Sequence, residues 1–123
     1  MMVGSSGTAI RTSIQRGSLH LNAGGFAYST FNSGNMIVAG GQAYSTFNSG
    51  SMSVIGPVSI GQLPLLGYAF YTVVEGGRLL VEGFDLGSNI GALISSTIIG
   101  QDGIVQVSNA SAKTIDVNAG GTL

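Results

Sequence analysis

The chain contains no cysteine among its 123 residues, and this absence excludes several kinds of chemistry at once. Without thiols there are no disulfides, no thiolate nucleophile and no cysteine-ligated zinc site. Charged side chains are also scarce: four basic and five acidic residues make up 7% of the chain, where about 25% is usual. With a net charge of −1, the chain has no electrostatic basis for binding nucleic acid or an acidic membrane. Copies of the chain also repel one another little, which favours self-association.

Long apolar runs are missing as well. The longest are a few residues, far below the roughly 20 that span a bilayer, so we expect no insertion into a membrane. Residues 1–7 have neither a basic nor an apolar signal region, and we expect no signal peptide there. Glycine, in contrast, is abundant, with 21 residues. A surface rich in glycine, serine and asparagine, with little charge, is typical of an exported protein.

The main positive feature of the chain is an internal repeat. Residues 25–40 read GFAYSTFNSGNMIVAG and residues 41–56 read GQAYSTFNSGSMSVIG, differing at four of the sixteen positions. A short repeat of this kind predicts a solenoid, in which each unit buries its apolar face only by stacking on its neighbours. We therefore look for a binding or structural role before an active site.

Six copies of a common template follow from this pair. Each has an Ala-x-x-Thr segment or its Thr alone and then a Gly, and in the first five copies apolar residues follow two and four places after the Gly. The predicted Thr positions are Thr12, Thr30, Thr46, Thr72, Thr97 and Thr114, and the predicted Gly positions are Gly17, Gly34, Gly50, Gly77, Gly103 and Gly120. The apolar pairs are Leu19/Leu21, Met36/Val38, Met52/Val54, Leu79/Val81 and Val105/Val107. Alternation with period two predicts a half-buried β-strand after each Gly, where a tight turn or a close backbone approach is needed.

The Ala-x-x-Thr strand is harder to orient. Arg11, Ser29, Ser45 and Tyr71 share a column, and the charge of Arg11 predicts that this column faces outward. Strict alternation then turns the Thr column inward together with Ile10, Tyr28, Tyr44 and Phe70. The alanines and Phe31/Phe47 fall on the outer side in this scheme, so the alternation does not settle the orientation.

The sequence therefore predicts an all-β fold: one domain over residues 1–123, a parallel β-solenoid of about six short rungs punctuated by glycine. Irregular spacers at residues 55–68 and 83–93 interrupt the period and are expected to form loops on one flank. Pro57 and Pro64 make an interior strand in the first spacer unfavourable, although a rung with an altered turn is an alternative. No capping element is visible at either end, which favours end-to-end stacking of copies.

The repeats resemble those of AIDA-type autotransporter adhesins, the passenger regions of bacterial type V secretion. The resemblance lies in GG-x-A-x-x-T followed by G-x-x-x-V, as in residues 25–41, Gly67-Tyr-Ala-Phe-Tyr-Thr72 and Gly77-Arg-Leu-Leu-Val81. It implies a right-handed β-helix at the bacterial cell surface that mediates adhesion, autoaggregation or biofilm formation. It also implies heptose on repeat serines and threonines, for which Ser29 and Ser45 are the matching outward positions. In contrast to the full-length members of the family, we expect neither a signal sequence nor a translocator barrel within these 123 residues.

Particular residues allow other interpretations. The Thr column is a single row, whereas ice binding needs a flat Thr-x-Thr array, so a hydroxyl ladder inside the solenoid is favoured. The aromatic columns Tyr28/Tyr44/Phe70 and Phe31/Phe47 are either a contact platform for sugars or stacking ladders that fix the register. His20 is expected on the solvent side, without a metal.

The chain has five carboxylates, and Glu75, Glu82 and Asp85 are the only local group among them. A polysaccharide-cleaving β-helix enzyme needs carboxylates paired in a groove, so this group is its only candidate site. No calcium-binding repeat, phosphate loop or dinucleotide motif occurs, and no cofactor is expected.

The first functional hypothesis is thus a non-enzymatic module for adhesion or autoaggregation at the bacterial surface. The alternative is a subunit that stacks head to tail into an extracellular filament or a phage fibre. The expected partners are other copies of the chain, end to end or side by side, and a host-cell or glycan receptor.

Overall fold

The structure is a computed structural model that describes residues 1–4, 7–56, 58–60, 63–65, 67–83, 93–108 and 110–123. These residues form strands and turns and contain no helix, so none of them belongs to a helix that could cross a membrane. The strands are β1 (Met2–Val3), β2 (Thr8–Ile10), β3 (Ser13–Ile14), β4 (Ser18–Leu21), β5 (Phe26–Asn32), β6 (Asn35–Ala39), β7 (Gln42–Asn48), β8 (Ser51–Gly56), β9 (Val58–Ile60), β10 (Leu63–Leu65), β11 (Tyr68–Val74), β12 (Arg78–Gly83), β13 (Leu93–Ile99), β14 (Ile104–Ser108) and β15 (Ser111–Val117).

Two parallel sheets run along the molecule. The first has the order β1-β4-β6-β8-β12-β14, and the second has the order β15-β13-β11-β7-β5, with β2 and β3 both paired to β5. The chain passes from a long strand of the second sheet to a short strand of the first and back, once per rung. The predicted all-β parallel β-solenoid is confirmed.

The apolar residues after each Gly form the core, as their spacing predicts. Nine of the ten predicted side chains are at most 1% exposed, and Val107 is half-buried. The strand register places each of these side chains next to the equivalent side chain of the adjoining rung, as with Leu19, Met36 and Met52. The alanines of the Ala-x-x-Thr segments enter the same core from the second sheet. Because each unit leaves its apolar side chains open along the stacking direction, the core is closed by neighbouring rungs.

The long strand does not alternate strictly, and one inward prediction is wrong. Along β5, Ala27 and Thr30 are buried, whereas Tyr28, Ser29 and Phe31 are exposed. The cause is Ser29, whose φ of 55° lies in the left-handed region and bends the strand, so that two consecutive side chains point outward. The column predicted to face inward with the Thr residues is therefore on the outside: Ile10, Tyr28, Tyr44 and Phe70.

The same bend recurs on every rung of the second sheet. A non-glycine residue with φ between 51° and 56° occupies it each time: Arg11, Ser29, Ser45, Tyr71, Ser96 and Thr114. We call this row the corner column. The first four members are exposed, which confirms the outward facing predicted from Arg11. On the first rung the bend separates β2 from β3.

Two predicted repeat positions are corrected by the register at the last rung. Thr97 pairs with Ile115, so Ile115 replaces the expected Thr114, which lies at the corner instead. Ile104 bridges to Thr122, so the glycine equivalent to Gly103 is Gly121 and not Gly120. Both errors have one cause. The register of the last rung is shifted by one residue from the position that the motif indicates, and a motif this degenerate does not reveal such a shift.

The Thr column lies inside the solenoid, which rules out an exposed ice-binding row. Thr30, Thr46, Thr72 and Thr97 are at most 2% exposed. Within the described residues, their hydroxyl oxygens have no hydrogen-bond partner, so they do not form the expected hydroxyl ladder. Rungs are ~4.8 Å apart, and a hydroxyl on Cβ is too short to reach the next one.

The first spacer contains a hairpin outside the two sheets. Within residues 55–68, β9 and β10 pair antiparallel, with Pro64 in register with Ser59. In the second spacer, residues 84–92 lie outside the described residues.

Close backbone approach explains the Gly column. A Cβ added at Gly50 would lie 2.3 Å from the carbonyl oxygen of Gly34 on the previous rung. We expect Gly50→Ala to lower the free energy of unfolding by about 1–3 kcal/mol, because the rungs must separate to admit the methyl group. Chemical denaturation measures this. Gly4→Ala, where a Cβ meets nothing within 4 Å, is the control. Equal stability of the two variants would contradict the explanation.

Burial of the Thr46 hydroxyl without a partner predicts the opposite effect for Thr46→Val. Removing a buried group that makes no hydrogen bond is expected to raise the free energy of unfolding by about 1 kcal/mol. Thr8→Val, at an exposed position of β2, should change it little. A loss of stability in Thr46→Val would mean that the hydroxyl is hydrogen-bonded after all.

Candidate functional site

Stacked aromatic side chains cover one outer facet of the second sheet. Tyr28, Tyr44 and Phe70 stand on consecutive rungs, with ring centroids 5.1 Å and 5.0 Å apart and ring planes inclined by 10° and 13°. Phe26 lies beside Tyr28 and Tyr68 beside Phe70, at 6.4 Å and 5.6 Å between centroids, in nearly parallel planes. We call these five residues the aromatic facet.

A second aromatic stack lies on the other side of the corner column. Phe31 and Phe47 have centroids 5.0 Å apart and planes inclined by 9°. Phe31 is 49% exposed. The column continues into Val73 and Ile98 on the next two rungs. The bend at the corner therefore divides the second sheet into two facets, each with its own apolar row.

Stacking determines what these aromatic rings can contact. Parallel rings about one rung apart cover each other's faces and leave their edges and phenol hydroxyls to solvent, and Tyr28 is 40% exposed. A flat sugar platform requires free ring faces, which the inner members of the stack do not offer. The geometry suits a role in fixing the register, together with edge contacts to a partner.

Tyr44 stacks between Tyr28 and Phe70 in the aromatic facet and carries a hydroxyl group. Its hydroxyl donates a hydrogen bond to Oε1 of Gln42 on the same strand. Burial raises the pKa of Tyr44 above its usual value, and the negative charge of an ionised Tyr28 next to it raises it further. The phenol therefore stays protonated, as a hydrogen-bond donor, at every physiological pH.

Ser29 and Ser45, the predicted glycan acceptors, lie at equivalent corners. Both are exposed, with φ of 55° and 56°. Register pairing places one above the other, because Tyr28 pairs with Tyr44 and Thr30 with Thr46 on either side. The two serines thus stand one above the other in the corner column.

A buried asparagine pair was not predicted. Asn32 and Asn48 are fully buried, and Nδ2 of Asn32 donates to Oδ1 of Asn48 at 2.8 Å. The same amides donate to the backbone oxygens of Ser51 and Arg78, both at 2.9 Å. The sequence carries a signal for it, since both copies of the repeat have Asn at this place, in FNSG. These contacts give the pair a structural role.

The candidate groups for catalysis or metal binding are not brought together by the described residues. Glu75 is exposed in the turn between β11 and β12, Glu82 is exposed on β12, and Asp85 lies outside the described residues. Within the part of the chain that the structure describes, no three histidine, aspartate or glutamate side chains are close enough to hold a metal. His20 is half-buried on the outer side of the first sheet, between Met2 and Ile37 of the adjoining rungs.

The fold and these surfaces define a class, a repeat protein built as a parallel β-solenoid with decorated outer facets. No protein-family model matches the chain, and no curated protein matches it.

Among solved structures, the chain is similar to the crystal structure of the TibC-catalyzed hyper-glycosylated TibA55-350 fragment. The TM-score is 0.70 and the sequence identity 28%, over 98% of this chain and 48% of that one. The chain thus spans about half the length of this neighbour. TibA is an autotransporter adhesin of the AIDA type, so the neighbour comes from the family that the repeats resemble.

Removal of the Tyr44 ring tests the contribution of the stack to stability. Tyr44 has ring partners on both sides, so Tyr44→Leu should lower the free energy of unfolding by about 1–3 kcal/mol. Tyr44→Phe keeps both stacks and is the matched control, with a smaller loss from the missing hydrogen bond to Gln42. Thermal denaturation followed by circular dichroism measures both. A Leu variant as stable as the Phe variant would mean that the stack contributes nothing.

The raised pKa of Tyr44 also predicts an alkaline limit to stability. Since the pKa is higher in the folded state, stability is complete below the usual tyrosine pKa of about 10 and falls as the pH rises through the folded value. Thermal unfolding across this range, with the absorbance of tyrosinate, reports the loss. Tyr44→Phe should show a shallower decline, and an equally steep one would assign the effect to other tyrosines.

Proposed function

We propose that the chain is a non-enzymatic cell-surface module, similar to an autotransporter passenger, that acts in bacterial adhesion or autoaggregation. The observation that carries this proposal is the similarity to the TibA fragment over 98% of the chain. The same similarity supports an extracellular location at the bacterial surface.

The physical properties of the outer surface support the same role. An adhesion module needs a rigid scaffold that presents side chains in fixed rows. Here the scaffold is the stacked core, and the rows are the aromatic facet, the Phe31/Phe47 stack and the corner column. Because the net charge is only −1, surfaces of neighbouring copies approach with little repulsion. The aromatic facet and the second stack are the contact ladders proposed for a partner.

Ser29 and Ser45 are proposed as glycan acceptors. The neighbouring TibA fragment is hyper-glycosylated, and in this chain the two serines repeat on successive rungs at exposed corners. Both serines are exposed in the corner column, between the aromatic facet and the Phe31/Phe47 stack, where a glycosyltransferase can reach them.

A filament subunit remains the second candidate. It is favoured by the edge strands β1, β2 and β15, each of which pairs with a described strand on one side of its sheet. An open parallel edge is a template for another rung, which a second copy can supply. Electron microscopy of the purified chain over a concentration series tests this. Ordered filaments would favour the subunit, and discrete particles throughout would count against it.

Display on cells tests the adhesion proposal. The chain, fused to an autotransporter translocator barrel, should make a non-aggregating laboratory bacterium settle faster than cells that display the barrel alone. Gly50→Ala, which should disturb the stack, is expected to reduce settling at equal surface level, measured by antibody binding to an epitope tag. Unchanged settling and unchanged attachment to host cells, with the chain present on the surface, would contradict the proposal.

Co-expression with TibC tests the acceptor proposal. Mass spectrometry should detect sugar on Ser29 and Ser45, and both additions should be lost in Ser29→Gly/Ser45→Gly, since Gly keeps the left-handed corner. Ser13→Ala, at an exposed serine away from the corner column, should change nothing. Sugar on Ser13 but not on the corner serines would overturn the assignment.

A further inference from the structure

A small cleft opens on the second sheet where the Phe31/Phe47 stack ends. It has a volume of about 210 Å³ and spans three consecutive rungs, β11, β13 and β15. Its lining combines three members of the corner column with the three residues two places further along each strand: Tyr71, Val73, Ser96, Ile98, Thr114 and Asp116.

The position of the cleft follows from side-chain size. On the earlier rungs, the column outside the corner is filled by the rings of Phe31 and Phe47. On the next two rungs the same column holds the smaller Val73 and Ile98, which leave a depression beside the corner. The cleft is therefore built by the stack itself and does not depend on the spacer loops.

The lining has the chemistry of a carbohydrate site. A pyranose ring carries C–H groups on its faces and hydroxyl groups around its rim. Val73 and Ile98 offer an apolar surface for a ring face, and the Asp116 carboxylate is an acceptor for two hydroxyl groups. Ser96 and Thr114 add hydroxyls that both donate and accept.

Tyr71 differs from the other aromatic residues of the outer surface. It is 65% exposed and stands at the corner, and no described aromatic ring stacks on it. Its ring face is therefore free, which is the property that the inner members of the aromatic facet lack. A sugar in the cleft can pack its C–H face against this ring.

We propose that this cleft binds one uncharged pyranose unit of a glycan. The volume suits a single sugar, because clefts that hold drug-sized ligands measure ~300–1,000 Å³. The one charged group in the described lining is the Asp116 carboxylate, so an acidic sugar such as sialic acid is disfavoured. The site deepens the adhesion function proposed above and rests on it for its biological role, whereas binding is tested on the isolated chain.

The test uses the ¹⁵N-labelled chain titrated with the methyl glycosides of glucose, galactose and N-acetylglucosamine, followed by amide chemical shifts. We expect at least one of them to shift the amides of the cleft residues, with a dissociation constant on the order of 1 mM, and N-acetylneuraminic acid not to do so. Asp116→Asn and Tyr71→Asn should each weaken binding by roughly tenfold. Asn retains the left-handed corner at position 71.

Glu75→Gln is the matched control, because it removes an exposed carboxylate outside the cleft and should leave binding unchanged. The spectra of all variants also report whether the solenoid remains folded. The proposal would be overturned if none of the three glycosides shifted the amides. It would also be overturned if Asp116→Asn and Tyr71→Asn, both folded, bound the glycosides as tightly as the unmodified chain does. If the sugars fail to bind while displayed cells still aggregate, the cleft assignment alone is overturned. If the sugars bind but displayed cells neither aggregate nor attach, the cleft stands and the adhesion function fails.

Discussion

The spacing of parallel rungs is the constraint on which the rest of this structure depends. Strands stack ~4.8 Å apart, so each side chain rests on the equivalent side chain of the next rung. A type of side chain can therefore recur along a column only if two copies of it pack favourably at that distance. Leu, Met and Val satisfy this by packing, and parallel aromatic rings satisfy it by stacking at 5.0–5.1 Å.

Polar groups inside the stack obey the same constraint with different results. An Asn amide carries its donor and its acceptor on opposite sides, so it reaches both neighbouring rungs, as the 2.8 Å bond from Asn32 to Asn48 illustrates. A Thr hydroxyl at the same spacing reaches neither. Thr30 and Thr46 are buried on the same two rungs as the asparagines, yet their hydroxyls form no hydrogen bond within the described residues. Thr is then held in the column by the fit of its branched side chain, at a cost in desolvation.

The sequence is sufficient to predict the repeating core and insufficient for the outer surface. The period-two pattern after each Gly predicts buried pairs such as Leu79 and Val81 because a regular strand keeps that period. The long strand breaks the period at a left-handed residue, and Ser or Arg at a corner looks the same in a sequence as Ser or Arg on a straight strand. For this reason strict alternation places Tyr28 on the wrong side. The motif gives the wrong register for the last rung because it aligns Thr114 with Thr97, whereas the strand pairs Ile115 with Thr97.

The same constraint bears on how far similarity to TibA informs function. Stacking requires Gly, Ala and aliphatic residues at the interior positions of any such solenoid, so identity of 28% over 98% of the chain is consistent with a shared core. The outer columns are under no such requirement, except where rings stack on rings. The corner column varies from Arg11 through Ser29 to Tyr71 while its backbone stays between 51° and 56° in φ. Under the function proposed above, a partner would therefore be recognised by what changes along these rows, such as the step from Phe47 to Val73 beside the cleft. In this proposal the stacked scaffold fixes where a partner would bind, and the local sequence of the facets sets which partner that would be.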